Sequence, residues 1–198
     1  MPNTDLLQIL LCPNDHEECG YCPDLKLYWQ DSMSLKPMDC SKLFLRPQEH
    51  SSFLPRLCRL TPEAVQEYPC VTELSEAQIK KLEDWQVDGS SLYQHSLSVA
   101  PGVKIGGYPH WVQDPEVPIC KCRRRMTYLL TIDSTEFDGG TYKRWLPESE
   151  RQVWSSHHEV RRKVQNATGI MLGDMGCINV FVCSVCSPWR CRWIFQCS

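Results

Sequence analysis

Cysteine is the residue whose abundance and spacing most clearly indicate chemistry in this chain of 198 residues, which contains 13 of them. Two close pairs, Cys120-x-Cys122 and Cys183-x-x-Cys186, each lie beside a predicted strand and next to residues that suit tight turns. Tetrahedral Zn²⁺ prefers four soft ligands, commonly supplied as two close pairs on separate turns. Neighbouring strands would bring the two pairs together, so the sequence predicts a structural zinc site. The alternative is a pair of thiol-containing turns without metal.

A second, weaker metal site is predicted in the N-terminal region. Its ligands would be Cys12, Cys19, Cys22 and Cys40, with His16 in reserve, and only Cys19-x-x-Cys22 has the usual ligand spacing. The other cysteines stand beside apolar residues, which favours buried thiols that pack as small hydrophobic side chains. They are Cys58, Cys70, Cys177, Cys191 and Cys197.

The cysteines are expected to be reduced and the protein to be cytoplasmic. Their number is odd, and the chain is long enough to bury a core without disulfides. The apolar run Leu6–Leu11 lacks the basic residues and the small-residue cleavage site of a signal peptide. No apolar run approaches the roughly 18–20 residues of a membrane span, so no membrane association is expected.

Composition and charge describe a folded globular protein that does not bind nucleic acid generally. Hydrophobic residues make up 42% and charged residues 23% of the chain, a balance that permits a packed core. The 21 basic and 24 acidic residues give a formal net charge of -3, whereas general nucleic-acid binders have a strong basic excess.

The apolar patterns predict an α+β fold, mostly antiparallel sheet with a few short helices and stapled by the zinc. Capping signals predict short helices over residues 61–69 and 76–86, and residues 134–168 read as a polar surface segment carrying one helix. β-Branched and aromatic runs predict four strands. These are Leu25–Gln30, Met126–Ile132, Ile178–Val182 and Trp193–Phe195. The pattern divides the chain into a cysteine-containing region over 1–97 and a β-rich region over 98–198, which together would form one compact unit.

The segment KIGGYPHW contains the adjacent glycines Gly106 and Gly107 but lacks the glycine spacing of a phosphate-binding loop. It predicts a tight turn in which at least one glycine has a positive φ. The sequence contains neither a paired acid and base nor a G-x-S-x-G elbow. The catalytic alternative is therefore an enzyme of unknown reaction, with a site near this turn that uses Gln113 and Asp174.

Two segments carry a family resemblance. Lys104–Met126 contains a GG-x-P-x-W-x-Q core, a Pro-Cys turn and a Met-led strand, and Met171–Cys183 contains G-D-x-G followed by an aromatic strand. This two-part pattern resembles the YwqG-like family, a bacterial family of unknown function. It is similar also to the C-terminal domain of programmed-cell-death-protein-2-like proteins, which act as chaperone-like partners of a ribosomal protein. The resemblance covers roughly residues 98–198, although Cys120-x-Cys122 replaces the commoner C-x-x-C.

These observations favour a non-enzymatic, zinc-binding protein that interacts with another protein, as an immunity protein or a chaperone-like partner. The absence of a catalytic pattern supports this interpretation, and tryptophans of the kind enriched at interfaces could anchor the partner. The candidate anchors are Trp111, Trp145, Trp154, Trp189 and Trp193. An open metal position would favour an enzyme instead, whereas a closed four-cysteine site favours a binding protein.

Overall fold

The computed structural model describes residues 4–17, 21–36, 53–85, 92–155, 157–186 and 188–198. Its contacts divide the chain into two compact units, residues 1–54 and residues 55–198. The boundary predicted from composition, between residues 97 and 98, falls inside the second unit. Both units contain antiparallel sheet, and the helices are short, which confirms the predicted α+β class.

The first unit contains an antiparallel hairpin of two strands, β1 (Leu6–His16) and β2 (Cys22–Gln30). The predicted strand Leu25–Gln30 is confirmed as part of β2, whereas β1 was not predicted because its apolar residues do not alternate. A 3₁₀ turn, Ser32–Ser34, follows β2. The Asp5 carboxylate accepts hydrogen bonds from the Ser32 backbone N–H (2.7 Å) and from its hydroxyl (2.6 Å), which joins the two ends of the hairpin.

The second unit contains a four-stranded antiparallel sheet in the order β3 (Lys104–Ile105), β4 (Thr127–Asp133), β5 (Cys177–Val182) and β6 (Cys191–Gln196). All six residues of β5 are buried, so this strand is covered on both faces. Five of the six residues are apolar, and the buried amide of the sixth, Asn179, is hydrogen-bonded. The three strands predicted in this region are confirmed with small shifts at their ends.

In the sequence of the second unit, short helices precede β3 and lie between β4 and β5. They are α1 (Glu76–Trp85), a π-helical turn (Tyr93–Leu97), α2 (Tyr142–Trp145), α3 (Arg151–Trp154) and α4 (His158–Gln165), with 3₁₀ turns at Val71–Glu73 and Glu148–Glu150. The predicted helix at 76–86 is confirmed, and three helices occupy the segment for which one was expected. In the described parts of the chain, no helix has the length and apolar character needed to cross a membrane.

The helix predicted over residues 61–69 is wrong, because this segment has no regular secondary structure. Its few apolar residues do not form a buried face, and Val65 is 50% exposed. Short helices depend on packing such a face. The segment instead contributes Glu67, whose carboxylate accepts hydrogen bonds from the backbone N–H groups of Ala100 and Tyr108, both at 2.6 Å. These long-range bonds replace helical ones.

The Gly-Gly turn after β3 has the backbone conformation that the sequence predicts. Gly106 and Gly107 have φ angles of 75° and 74°, in the left-handed region. They differ in their surroundings, because no atom lies within 4 Å of the Cβ position of Gly106, whereas a Cβ on Gly107 would collide with the Glu67 carboxylate. That carboxylate also pairs with Lys104 Nζ at 2.8 Å and has little freedom to move.

The loop that follows this turn is attached to the sheet by two buried amide side chains. Asn179 on β5 accepts a hydrogen bond from the His110 backbone N–H (3.2 Å) and donates one to the His110 carbonyl (2.6 Å). Gln196 on β6 accepts from two consecutive N–H groups and donates to the next carbonyl. Its partners are Val112 (3.0 Å), Gln113 (3.1 Å) and Asp114 (2.9 Å). Residues 110–114 therefore lie on one face of the sheet, where these two amides satisfy five of their backbone groups.

The two glycines provide a matched test of the turn. Alanine at either position must adopt a positive φ, which costs about 1–2 kcal/mol. Gly107→Ala must in addition displace Glu67 from its hydrogen bonds, so we expect it to lower the free energy of unfolding by at least about 1 kcal/mol more than Gly106→Ala. Urea unfolding of both variants measures this difference. Equal losses would show that the contact with Glu67 is unimportant.

Candidate metal centre

The first cysteine pair lies in a tight hairpin immediately before β4. The Cys120 carbonyl accepts a hydrogen bond from the Arg123 N–H, and the Cys120 N–H donates to the Arg124 carbonyl, both at 2.8 Å. Arg123 completes the turn with a φ of 65°, an unfavourable conformation for a residue other than glycine. The turn leaves Cys120 buried and Cys122 exposed.

The second pair lies in the connection between β5 and β6. The Cys183 N–H donates to the Arg190 carbonyl at 2.9 Å, which places this cysteine directly at the end of β5. The backbone N–H groups of Val185 and Cys186 donate to the Cys183 sulfur and lower its pKa to about 6. Such donors stabilise a thiolate, the form of cysteine that binds metals. Hydrogen bonds with the neighbouring sulfurs raise the pKa of Cys186, and the bond with the Cys120 sulfur has the largest effect.

The four sulfur atoms of the two turns come together as the sequence predicts. All four lie within 4.8 Å of one another. The distances from Cys120 to Cys186 and from Cys122 to Cys183 are 3.7 and 3.6 Å, and none of the four forms a disulfide. A tetrahedron with metal–sulfur bonds of about 2.3 Å has edges of about 3.8 Å. The group therefore has the donors and the dimensions to hold one metal ion.

The cluster lies against the hydrophobic core of the sheet. Cys120 and Cys183 pack with Trp111, Met126 and Phe181, and the rings of Trp111 and Phe181 stack with centroids 6.0 Å apart. An apolar shell of this kind limits the access of water to the sulfurs. It also makes Trp111, which is 8% exposed, a core residue, so its predicted role as an interface anchor is wrong.

Of the weaker N-terminal cluster, Cys19 and Cys40 lie outside the described residues. Cys12 and Cys22 lie on β1 and β2, where Cys12 is opposite Asp24 and Cys22 is opposite His16. Hydrogen bonds from the Asn14 backbone N–H and from His16 lower the pKa of Cys12. This second four-cysteine site stays a prediction.

The residues of the catalytic alternative have structural hydrogen bonds. The Gln113 side chain donates to the Cys197 carbonyl at 2.8 Å. Asp174 is exposed, and its backbone carbonyl accepts hydrogen bonds from the Ser198 N–H and hydroxyl.

Among the single cysteines, Cys177 is buried as expected, whereas the prediction of a buried thiol is wrong for Cys58, which is exposed.

Sequence reasoning missed a second group of potential metal ligands in this unit. His110, Asp133 and Cys177 each offer one ligand atom, and these atoms lie within 4.8 Å of one another. The three residues are far apart in the sequence, and none has a metal-ligand spacing to a neighbour. Only the register between β4 and β5, together with the position of the loop, brings them together.

Neither the known protein families nor the curated proteins and solved structures with which the chain was compared gave a match. The class of protein is accordingly defined by its fold and site, an α+β protein with a four-cysteine group suited to a metal ion.

Removal of one ligand tests whether metal and stability depend on each other. A metal-binding group absent from the unfolded chain contributes its binding free energy to folding. We expect Cys183→Ser to bind one metal ion fewer per chain. Since the ion would close a loop of roughly 60 residues, we also expect the free energy of unfolding to fall by about 3 kcal/mol or more, as on loss of a comparable cross-link. Elemental analysis and thermal unfolding measure the two effects. Cys197→Ser is the control and should keep the metal. Loss of metal in this control alone would identify a different ligand set.

The strained turn residue gives a prediction of opposite sign. Arg123→Gly relieves the positive φ and should raise the stability of the metal-loaded protein by about 0.5–1 kcal/mol. Arg124 has an ordinary backbone conformation, so Arg124→Gly should lower stability by a similar amount. Thermal unfolding of both variants checks this. A stabilising effect of both substitutions would indicate a role for the charges rather than for the backbone.

Proposed function

We propose that this protein is a non-enzymatic zinc-binding protein that acts by binding another protein. The observation that carries the proposal is the closed four-cysteine group, with four ligands from two turns packed against the core. Closed four-cysteine zinc sites are structural, whereas catalytic zinc sites keep a position open for water. The similarity of roughly residues 98–198 to the C-terminal domain of programmed-cell-death-protein-2-like proteins, which act as chaperone-like partners of a ribosomal protein, supports a protein-binding role.

Zinc is the proposed ion because of the ligand chemistry. Four thiolates in a tetrahedral arrangement suit zinc or iron–sulfur chemistry, and the sulfur–sulfur distances of 3.6 and 3.7 Å agree with a single central ion. All the cysteines described here are free thiols, which supports a reducing compartment such as the cytoplasm. Zinc has no redox chemistry of its own, so it would serve to fasten the two turns.

The proposed partner-binding surface is the metal-binding end, defined as residues 119–125, 183–186 and 188–192. Ile119 and Val185 are 55% and 58% exposed there, one beside each cysteine pair. The same segments contain six basic residues and no acidic residue, and in the described ranges none of the six forms an ion pair with an acidic side chain. They are Lys121, Arg123, Arg124, Arg125, Arg190 and Arg192.

The charge of this surface favours an acidic protein segment as the partner. Exposed apolar side chains within a basic surface can contribute buried area, while the charges direct the approach of an acidic chain. A toxin neutralised by an immunity protein and a client of a chaperone-like protein are the two specific forms of this proposal. An adjacent gene for a toxin or for a ribosomal protein would distinguish them.

The test combines metal content with partner binding. Purified, reduced, tag-free protein should contain one zinc per chain, or two if another group also binds. A partner recovered with the wild type is purified and titrated against Arg124→Glu and Val185→Ser, each of which should weaken binding at least tenfold without loss of zinc. Arg162→Glu, an exposed cation on α4, is the matched control and should bind as the wild type does.

Two results would contradict the proposal. Protein that contains no transition metal after reduction and zinc supplementation has no zinc site. A partner that binds the wild type and both metal-end variants equally uses another surface.

A further inference from the structure

We propose that His110, Asp133 and Cys177 form a second divalent-metal site, which takes zinc or a similar borderline ion and keeps one coordination position open to solvent. Its ligands would be His110 Nδ1, an Asp133 carboxylate oxygen and the Cys177 sulfur. These are three of the four ligand types that zinc uses in proteins. The proposal concerns a different set of residues from the four-cysteine group, which stays the proposed structural site. Because an open position is typical of catalytic zinc, occupancy of this second site would favour the catalytic alternative over a purely binding role.

The β4–β5 pairing places two of the ligands directly opposite each other. Asp133 is the last residue of β4, Cys177 is the first residue of β5, and they are register partners. As whole residues, Asp133 and Cys177 are 2% and 0% exposed, so both ligands lie in the interior. Directly opposed residues in an antiparallel pair have Cβ atoms about 4.5–5.5 Å apart, a separation that one ion can bridge.

The third ligand is brought to this pair by the loop. His110 Nδ1 lies 2.6 Å from the Asp133 carboxylate, and both backbone groups of His110 are hydrogen-bonded to the Asn179 amide. The second oxygen of Asp133 accepts a hydrogen bond from the Thr135 N–H at 3.1 Å. Supporting bonds of this kind orient the ligands of metal sites. These bonds fix His110 and Asp133, and the Cys177 thiol donates to the His110 carbonyl at 3.2 Å in the absence of metal.

The charges of the group suit a divalent cation. A carboxylate, a thiolate and a neutral imidazole contribute two negative charges, which balance the ion within a buried environment. On binding, the thiol proton passes to solvent, and the imidazole carries its proton on Nε2 in place of Nδ1. The nearby Lys104 does not oppose this, because its ammonium group pairs with Glu67 at 2.8 Å.

The site would differ from the four-cysteine group in its access to water. The His110 side chain is 33% exposed, so the ion would lie between a buried pair of ligands and the surface. Three protein ligands leave the fourth position for water or for an oxygen of a small ligand. The two metal groups lie at opposite ends of β5, about 20 Å apart at the usual rise of a strand, and can bind independently.

Metal stoichiometry tests the proposal. The reduced, tag-free full chain is saturated with Zn²⁺, freed of unbound ion and assayed by elemental analysis, and we expect two zinc ions per chain. Asp133→Asn and Cys177→Ser should each contain one. Cys197→Ser, at the residue that follows β6, is the matched control and should contain two. Circular dichroism of each variant verifies that the sheet is retained.

Titration with Co²⁺ identifies which site each ion occupies. The four-cysteine group gives strong thiolate-to-cobalt charge-transfer absorption, whereas a site with one thiolate gives a weak band. We expect both components in the wild type, and loss of only the weak one in Asp133→Asn. A wild type that binds one ion with the four-thiolate spectrum alone would overturn the second site. Two ions retained by both folded variants would overturn the ligand set. Loss of the strong component alone in Cys183→Ser, with the weak band kept, would support a second site that binds independently of the four-cysteine group.

Discussion

The antiparallel register between β4 and β5 is the constraint on which the other features of the second unit depend. It pairs Thr127 with Val182 at one end and Asp133 with Cys177 at the other, with one irregularity between Tyr128 and Leu130. The turns that carry the four cysteines adjoin the first end, so their sulfurs meet only in this register. A shift by one residue would turn every side chain of the strand to the opposite face and separate both ligand groups.

Strand β5 has two tasks, apolar packing and the hydrogen bonding of a loop, and different residues along the strand perform them. Phe181 packs on Trp111 beside the cysteine cluster, whereas Asn179, two residues earlier on the same face, binds the backbone of the loop. The Thr131 hydroxyl donates to Asn179 at 2.7 Å, so the polar group within the sheet is fully connected. Apolar packing therefore buries Trp111 against the sheet, and the amide fixes the position of His110. Neither alone would achieve both.

The sequence contains the information for the elements more directly than for their contacts. Strands β4, β5 and β6 and helix α1 could be predicted because their signals are local, namely apolar runs and a capping residue such as Ser75, whose N–H donates to Gln78. The two cysteine pairs were recognisable because each spacing is itself local. By contrast, Glu67 was assigned to a helix, because its actual partners lie more than 30 residues away. The group of His110 and Asp133 was missed for the same reason, since tertiary register alone creates it.

The amide of Gln196 also has a bearing on the order of events during synthesis. It holds residues 112–114, yet it lies on β6, the last strand of the sheet to leave the ribosome. Until β6 has been made, the loop lacks three of its hydrogen bonds, and β5 has an unpaired edge that could join another chain. The nascent second unit thus passes through a stage at which most of its residues exist but its sheet is open. Cellular factors that shield strand edges would matter most during that interval.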